Sequence, residues 1–309
     1  MSSSGEKAET LLVTGASGHL GRHVLANLLD TCGIPPSCLI AVTRDPAKVA
    51  DIAARGVDVR RGDFDDPASL DAAFKGANRL LLISTDAFDR PGARIAQHKA
   101  AIAAAKQAGV KHIVYTSMPR PDGSPIPFAP DHLGTEQALA ASGLVWTVLR
   151  NAWYFENLAL SLPDALATGK WYTSAGDGRS AYLAREDCAR AAAYVLARPL
   201  TPNGIIDITG SAALSNAEIA TAVREAYGRP LDVVAVSDDE LVAGIIAAGL
   251  PEPIARIFAS FDTATRVGNF ATVTDAVEML TGAPPQTLTA FLSANKELFL
   301  PQEPKRETI

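Results

Sequence analysis

The segment Gly15-Ala16-Ser17-Gly18-His19-Leu20-Gly21 sets three glycines at GxxGxxG spacing between an apolar run and a helical stretch. Such a backbone turns tightly, lets a pyrophosphate reach its amides and packs a helix against a strand. Gly15 serves the turn, Gly18 the close approach and Gly21 the packing. The helix start adds free N–H groups and a partial positive charge for the phosphates. An Asp or Glu ending the next strand would favour NADH, because a carboxylate accepts from the ribose hydroxyls. This chain reads Thr43-Arg44-Asp45-Pro46 there. A guanidinium pairs bidentately with a 2′-phosphate, so NADPH is the expected cofactor. Asp45 reads as the cap of the following helix, and Lys48 adds charge in its first turn. Asp63 ends a third run, where it either accepts from an adenine amino group or caps a loop. Ser84-Thr85-Asp86 and Thr116-Ser117-Met118 end the fourth and fifth runs. These are small polar groups where the nicotinamide end would lie, and each could equally cap the segment that follows.

A carbonyl reductase also needs a proton donor beside the acceptor. The common solution is Tyr-x-x-x-Lys on one helix face, the lysine lowering the tyrosine pKa. The corresponding stretch here is Asp131-His132-Leu133-Gly134-Thr135-Glu136-Gln137. His132 stands at the tyrosine position and Glu136 at the lysine position. The pair either forms a local contact or leaves His132 as the acid. Reduction of a quinone or another conjugated acceptor fits more easily, because solvent can protonate the product oxygens.

The elements that must position these groups alternate. Leu11–Thr14, Leu39–Thr43, Val57–Arg60, Leu80–Ser84, His112–Thr116 and Val145–Leu149 are apolar runs of buried-strand length. Between them lie helical stretches at His19–Asp30, Pro46–Arg55, Pro67–Lys75, Pro91–Ala108 and Asp131–Ser142. Strands alternating with helices predict an α/β fold, a Rossmann-type doubly wound parallel sheet with a smaller, mostly helical C-terminal substrate domain. Asp45-Pro46 and Asp66-Pro67 read as N-cap plus first-turn proline, and the proline-rich run Pro119–Pro130 as an irregular loop. Beyond residue 150 the pattern predicts helices at Pro163–Thr168, Arg185–Ala197 and Ser215–Tyr227, strands at Ile205–Thr209 and Val233–Val236, and mostly helix from Asp238 to Phe299. Ser215 with Glu218 has capping-box spacing. Residues 1–150 thus read as the NADP-binding Rossmann domain. Residues 151–309 read as the substrate-binding region, with some segments returning to the Rossmann core. The tail Pro301–Ile309 is expected to fray.

Composition excludes several classes. The 309 residues are 48% hydrophobic and 20% charged, with a formal net charge of −6. That is too apolar for disorder and lacks the basic excess of a nucleic-acid binder. No apolar run approaches the roughly 18 residues of a membrane span, and the start shows no secretory h-region. Cys32, Cys38 and Cys188 are too few for a disulfide framework, and no Cys/His cluster has zinc spacing, so no metal is expected. The compartment reads as reducing and cytoplasmic. Seven of the 19 aromatic residues (Trp146, Trp153, Tyr154, Phe155, Trp171, Tyr172 and Tyr182) fall between positions 146 and 182. They are read as gathering where a flat acceptor would meet the nicotinamide.

These residues recur in order in a known family. The glycine turn, Arg44-Asp45-Pro46-Ala47-Lys48, Leu81-Leu82-Ile83-Ser84, Tyr115-Thr116-Ser117, His132-x-x-Thr135-Glu136, Leu149-Arg150-Asn151-Ala152-Trp153-Tyr154 and Ala175-Gly176-Asp177-Gly178 together resemble the NmrA-like atypical short-chain dehydrogenase/reductases. The likeness spans about Leu11 to Phe299. It is closest to the type-2 NAD(P)H:quinone oxidoreductases of that group, with triphenylmethane dye reductases near. The resemblance implies NADPH bound by Gly15, Ala16, Ser17, Gly18, His19, Leu20, Arg44, Ser84, Thr85, Asp86, Asn151, Ala152, Trp153, Tyr154, Phe155 and Glu156. It implies an acceptor near Tyr182, with Met118 and Trp153 completing the substrate-side set. The departures (Ser84-Thr85-Asp86 for a plainer serine run, Gln137 for lysine, bulky Tyr182, the Pro119–Pro130 loop) lie near the presumed acceptor. Three functions follow: an NADPH-dependent reductase of quinones or similar flat acceptors, a non-catalytic NADP-binding redox sensor, and a carbonyl or alkene reductase with His132 or Tyr182 as acid. The partner expected is a small-molecule acceptor, and a homodimer is left open.

Overall fold

Four strands of the first half, Leu11–Val13, Leu39–Thr43, Arg79–Leu82 and His112–Ser117, are buried along their whole length, and that is what forces helices onto both faces of their sheet. The computed structural model describes residues 9–88, 90–198 and 203–300. The expected tail 301–309 lies outside these. Strands β1 (Leu11–Val13), β2 (Leu39–Thr43), β3 (Asp58–Arg61), β4 (Arg79–Leu82), β5 (His112–Ser117) and β6 (Val145–Asn151) join a later strand, Gly204–Ile208, in one parallel sheet. Leu12 sits between Ile40 and Leu80 in register. The spatial order is β3-β2-β1-β4-β5-β6 and then the later strand. The order reverses between β1 and β4, which opens a crevice at the carboxyl ends of the strands.

Helices α1 (His19–Ala26), α2 (Ala50–Ala54), α3 (Pro67–Phe74), α4 (Ala93–Gln107) and α5 (Ala129–Ala141) make the crossovers. One face of the sheet buries Val24, Leu25, Ala189 and Val195, and the other buries Phe74, Ile102, Tyr115 and Leu139. The stretch expected as one helix to Asp30 ends at Ala26 and widens into a π turn over Asn27–Thr31. The Pro46–Arg55 stretch begins as a 3₁₀ turn over Pro46–Val49, capped by Asp45 accepting from the Ala47 amide. Asp66 does not cap α3. Its carboxylate faces Arg61 at 3.5 Å, and Ser69 holds the turn instead by donating to the Asp66 carbonyl. The proline-rich loop stops short of Pro130, which sits in the first turn of α5, where no amide hydrogen is needed.

The second half contributes α6 (Leu162–Thr168), β7 (Lys170–Thr173), β8 (Arg179–Ser180), α7 (Arg185–Ala197) and β9 (Gly204–Ile208). After them come β10 (Leu214–Ser215), α8 (Asn216–Tyr227), β11 (Asp232–Ala235), α9 (Asp238–Ala247), α10 (Glu252–Arg266), α11 (Ala276–Thr281), α12 (Leu288–Ala294) and α13 (Lys296–Phe299). Strand β9 pairs with β6, and Ala189, Ala192 and Val195 of α7 lie in the same core as Val24 and Leu25 of α1. A separate core around Phe155, Leu166, Trp171, Ile219 and Phe291 carries the rest. The Ser215–Glu218 capping box is present on α8. No helix among the described residues is long and apolar enough to cross a membrane.

Candidate functional site

The carboxyl ends of β1 to β6 bring the predicted groups to one edge of the sheet. The glycine turn is built as its spacing demands. Gly15 has φ +61°, and a Cβ on Gly21 would lie 2.3 Å from the Gly15 carbonyl oxygen. Ala16 donates to the Val42 carbonyl, and Thr43 Oγ1 donates to Ser17 Oγ at 2.9 Å, so the end of β2 fixes the turn. The amides of Ser17, His19 and Leu20 find no acceptor among the described residues. The first turn of α1 holds no acidic residue and no side-chain cap. This is an anion cradle left open to solvent.

Arg44 directly follows β2, is exposed, and makes no hydrogen bond or ion pair among the described residues. Asp65, already held by Gln97 and Arg90, feels its charge through space. Asp63 takes the loop-capping role, its Oδ1 accepting from the Asp65 amide. A free cradle with an unpaired guanidinium one strand away fits a phosphorylated dinucleotide.

On the far side of the crevice, Met118 after β5 and Trp153 after β6 join one aromatic cluster. Trp153 lies 4.2 Å from Phe261 of α10 and 5.7 Å from Phe270, centroid to centroid. Phe128 lies 6.1 Å from Phe261 and 5.0 Å from Phe88. Phe88, Phe128, Phe261 and Phe270 were not among the sequence candidates. They come from four separate stretches of chain, and only tertiary structure gathers them.

Tyr182 is elsewhere. It stacks on Phe155 at 6.1 Å and lines a cavity of about 210 Å³ with Leu214, Gln286 and Leu288. Burial pushes its phenol well above the ordinary tyrosine range, with Asp262 adding to the shift. The aromatics of 146–182 therefore do not share one place. Trp146 lies near the amino end of β6, away from the carboxyl ends of the strands, Trp171 is in the C-terminal core, and Tyr172 is exposed.

The segment after β6 is pinned by backbone bonds. Ala152 donates to the Ile208 carbonyl, and Phe155 donates to the Leu183 carbonyl. Asn151 donates from Nδ2 to Tyr154 Oη at 3.3 Å, while its Oδ1 is buried without a partner. Glu156 accepts from the Arg185 amide with both oxygens and so caps α7.

His132 and Glu136 do not pair. Glu136 is buried and accepts from Arg150 Nε at 3.0 Å, from a second Arg150 nitrogen at 2.7 Å and from Ser117 Oγ at 2.6 Å. His132 lies between Arg94 and Tyr115, 2.9 and 2.8 Å from each. A guanidinium only donates, so His132 Nε2 accepts and Nδ1–H points to Tyr115 Oη. Burial, then the Arg94 charge, holds this imidazole far below the ordinary histidine range. A neutral histidine with both nitrogens engaged is not the free acid that the sequence left open.

The sheet order, the glycine cradle and the missing Tyr–Lys pair define a dinucleotide-binding Rossmann protein of the atypical reductase class. The model of the NmrA-like family matches residues 7–292, and the chain belongs to that family. It is 37% identical over 283 residues to quinone oxidoreductase 2 of Escherichia coli, covering 92% of this chain and 97% of that one. Its structure resembles that of the NADPH-dependent quinone oxidoreductase from E. coli complexed with NADPH, with TM-score 0.88, 36% identity and coverage of 92% and 99%. The triphenylmethane reductase of Citrobacter sp. complexed with NADP(H) has TM-score 0.86 and 34% identity, covering 92% of this chain and all of that one (100%).

Proposed function

We propose that the protein is an NADPH-dependent oxidoreductase that reduces a flat conjugated acceptor of the quinone type. The observation that carries this reading is the pairing, at the carboxyl ends of the strands, of an open anion cradle with a partly buried aromatic cluster whose neighbouring imidazole, His132, is locked neutral. NADPH supplies a hydride, and a quinone taking it up needs only one further proton, which water provides. Ser17, His19 and Leu20 offer amides to the pyrophosphate, and Arg44 offers its guanidinium to the 2′-phosphate. Trp153, Phe261 and Phe128 offer apolar faces on which a planar ring stacks and from which water is excluded. The dinucleotide falls mostly to residues 1–150. The acceptor falls largely to 151–309, with Met118, Phe88 and Phe128 contributed from the first part. Two quinone-type and dye-type relatives of known structure support the acceptor class. The free thiols Cys32, Cys38 and Cys188 are consistent with a reducing compartment, the cytoplasm.

The test is a panel of benzoquinones, naphthoquinones, aldehydes and ketones with purified protein and NADPH. Quinones should be reduced at rates proportional to enzyme, and simple carbonyls should not. NADPH binding without turnover of any acceptor would instead make the protein a sensor.

A further inference from the structure

Thr85, in the loop after β4, is gripped at both of its backbone groups by side chains of one helix. Its amide donates to His98 Nε2 at 3.0 Å, and its carbonyl accepts from Arg94. Arg94 and His98 lie four residues apart on α4 and so share a face. Both are buried, His98 completely. Each is held in turn by α5. His98 Nδ1 lies 2.9 Å from Thr135 Oγ1, whose own hydrogen goes to the Asp131 carbonyl at 2.6 Å. Arg94 donates to His132, and its guanidinium carbon lies 4.7 Å from the Phe88 ring centre and 5.2 Å from that of Phe128.

The donors and acceptors fix every tautomer. The Thr85 amide can only donate, so His98 Nε2 accepts and Nδ1 carries the proton to Thr135. Burial, helped by Arg94, keeps His98 neutral, with its pKa down at about 3. In the loop itself Thr85 Oγ1 is buried with no hydrogen-bond partner, and Arg94 Nε, which also lacks one, faces the Asp131 carboxylate at 3.7 Å. Unpaired buried groups are destabilising. The unpaired Thr85 hydroxyl leaves the two side-chain bonds to its backbone as what holds this residue.

We propose that Arg94 and His98 are a clamp that fixes the Ser84-Thr85-Asp86 backbone at the crevice, acting as positioning residues for the reaction. This rests on the NADPH reading above. The clamp also ties the loop to Phe88 and Phe128, so one buried guanidinium sets the cofactor edge and the aromatic wall together. Neither residue is required to touch cofactor or acceptor.

His98→Leu removes the acceptor for the Thr85 amide, and His98→Gln restores one in place of Nε2. The Leu variant should lower kcat at least tenfold while leaving KM for a quinone within threefold, and the Gln variant should recover most of kcat. Hydrogen exchange of the Thr85 amide, read without cofactor, should be protected in wild type and in His98→Gln and lost in His98→Leu. Thr135→Val, which frees the His98 ring without opening a large cavity, should give the same signs at about threefold if the Leu variant does not fold. Equal kcat in the Leu and Gln variants, or unchanged exchange at Thr85, overturns the clamp. If wild type binds no NADPH, the functional reading fails on its own, and exchange at Thr85 still decides whether the clamp exists.

Discussion

Arg44 is the residue on which the choice of nicotinamide turns. It is exposed, follows β2 directly and has no ion pair among the described residues to give up, so on the proposed reading its charge is available to a 2′-phosphate. Losing charge-assisted hydrogen bonds costs about 1.5–3 kcal/mol. Arg44→Asp should therefore weaken NADPH binding roughly tenfold to a hundredfold, by the usual conversion of energy to affinity. NADH binding should change little, because NADH has no phosphate there. Titration of tryptophan fluorescence with each nucleotide gives both constants, and equal losses would remove the role assigned to Arg44. Asp63, two strands from β1, shows the limit of reading single residues. Its capping bond to the Asp65 amide is enough to explain its presence, and one oxygen remains for other use.

At the scale of elements, α5 replaces a catalytic pair with a structural one. Glu136 binds Arg150 through two nitrogens and Ser117 through its hydroxyl, joining α5 to the ends of β5 and β6. Removing one partner of a buried ion pair costs about 3–5 kcal/mol. Glu136→Ala should cost about 3 kcal/mol in urea unfolding, at the low end because Arg150 keeps some contact with water. A far smaller loss would mean that Arg150 finds solvent on its own. Helices α9 and α10 are joined differently, by Arg266 of α10 bonding Asp238 of α9 at 2.8 and 3.0 Å. Hydrogen bonds from Arg266 above all hold the Asp238 carboxyl down at about 2, against an ordinary 3.8. Its folded pKa lies below its unfolded one, so its contribution is present above about pH 4 and disappears as pH falls through about 2. The stability gap between wild type and Asp238→Asn should be flat above pH 5 and close between pH 4 and 2. A gap that persists at pH 2 would contradict this. The strands were legible because a buried parallel strand is a continuous apolar run, and β2 has the bounds its run suggests. Helix between Asp238 and Phe299 was legible too, but where α10 packs was not. Periodicity shows that one side of α10 is apolar, but not that Phe261 meets Trp153, 108 positions earlier in the chain.

The molecule as a whole divides its labour across the crevice. The cradle amides and Arg44 belong to the sheet and to α1, whereas the aromatic cluster proposed to meet the acceptor takes Phe261 from α10, which packs on α9 around the small core of Val242, Ala255 and Ala259. Asp262 fastens α10 to the end of β7 by accepting from Thr173 Oγ1 and from the Ser174 amide, at 2.7 and 2.8 Å. Truncating Phe261 therefore alters the acceptor wall and leaves the dinucleotide cradle intact. Phe261→Ala removes one of the two aromatic partners of Trp153 and one neighbour of Phe128. Aromatic contacts of this kind contribute about 0.5–1.5 kcal/mol each beyond the area they bury. Two such contacts and the lost stacking face should raise KM for a naphthoquinone about tenfold, while the dissociation constant of NADPH stays within twofold. If both constants rise together, α10 shapes the cofactor site as well, and the division between sheet and helix does not hold. If neither moves, the acceptor does not meet this cluster, and the cavity beside Tyr182 becomes the place to look.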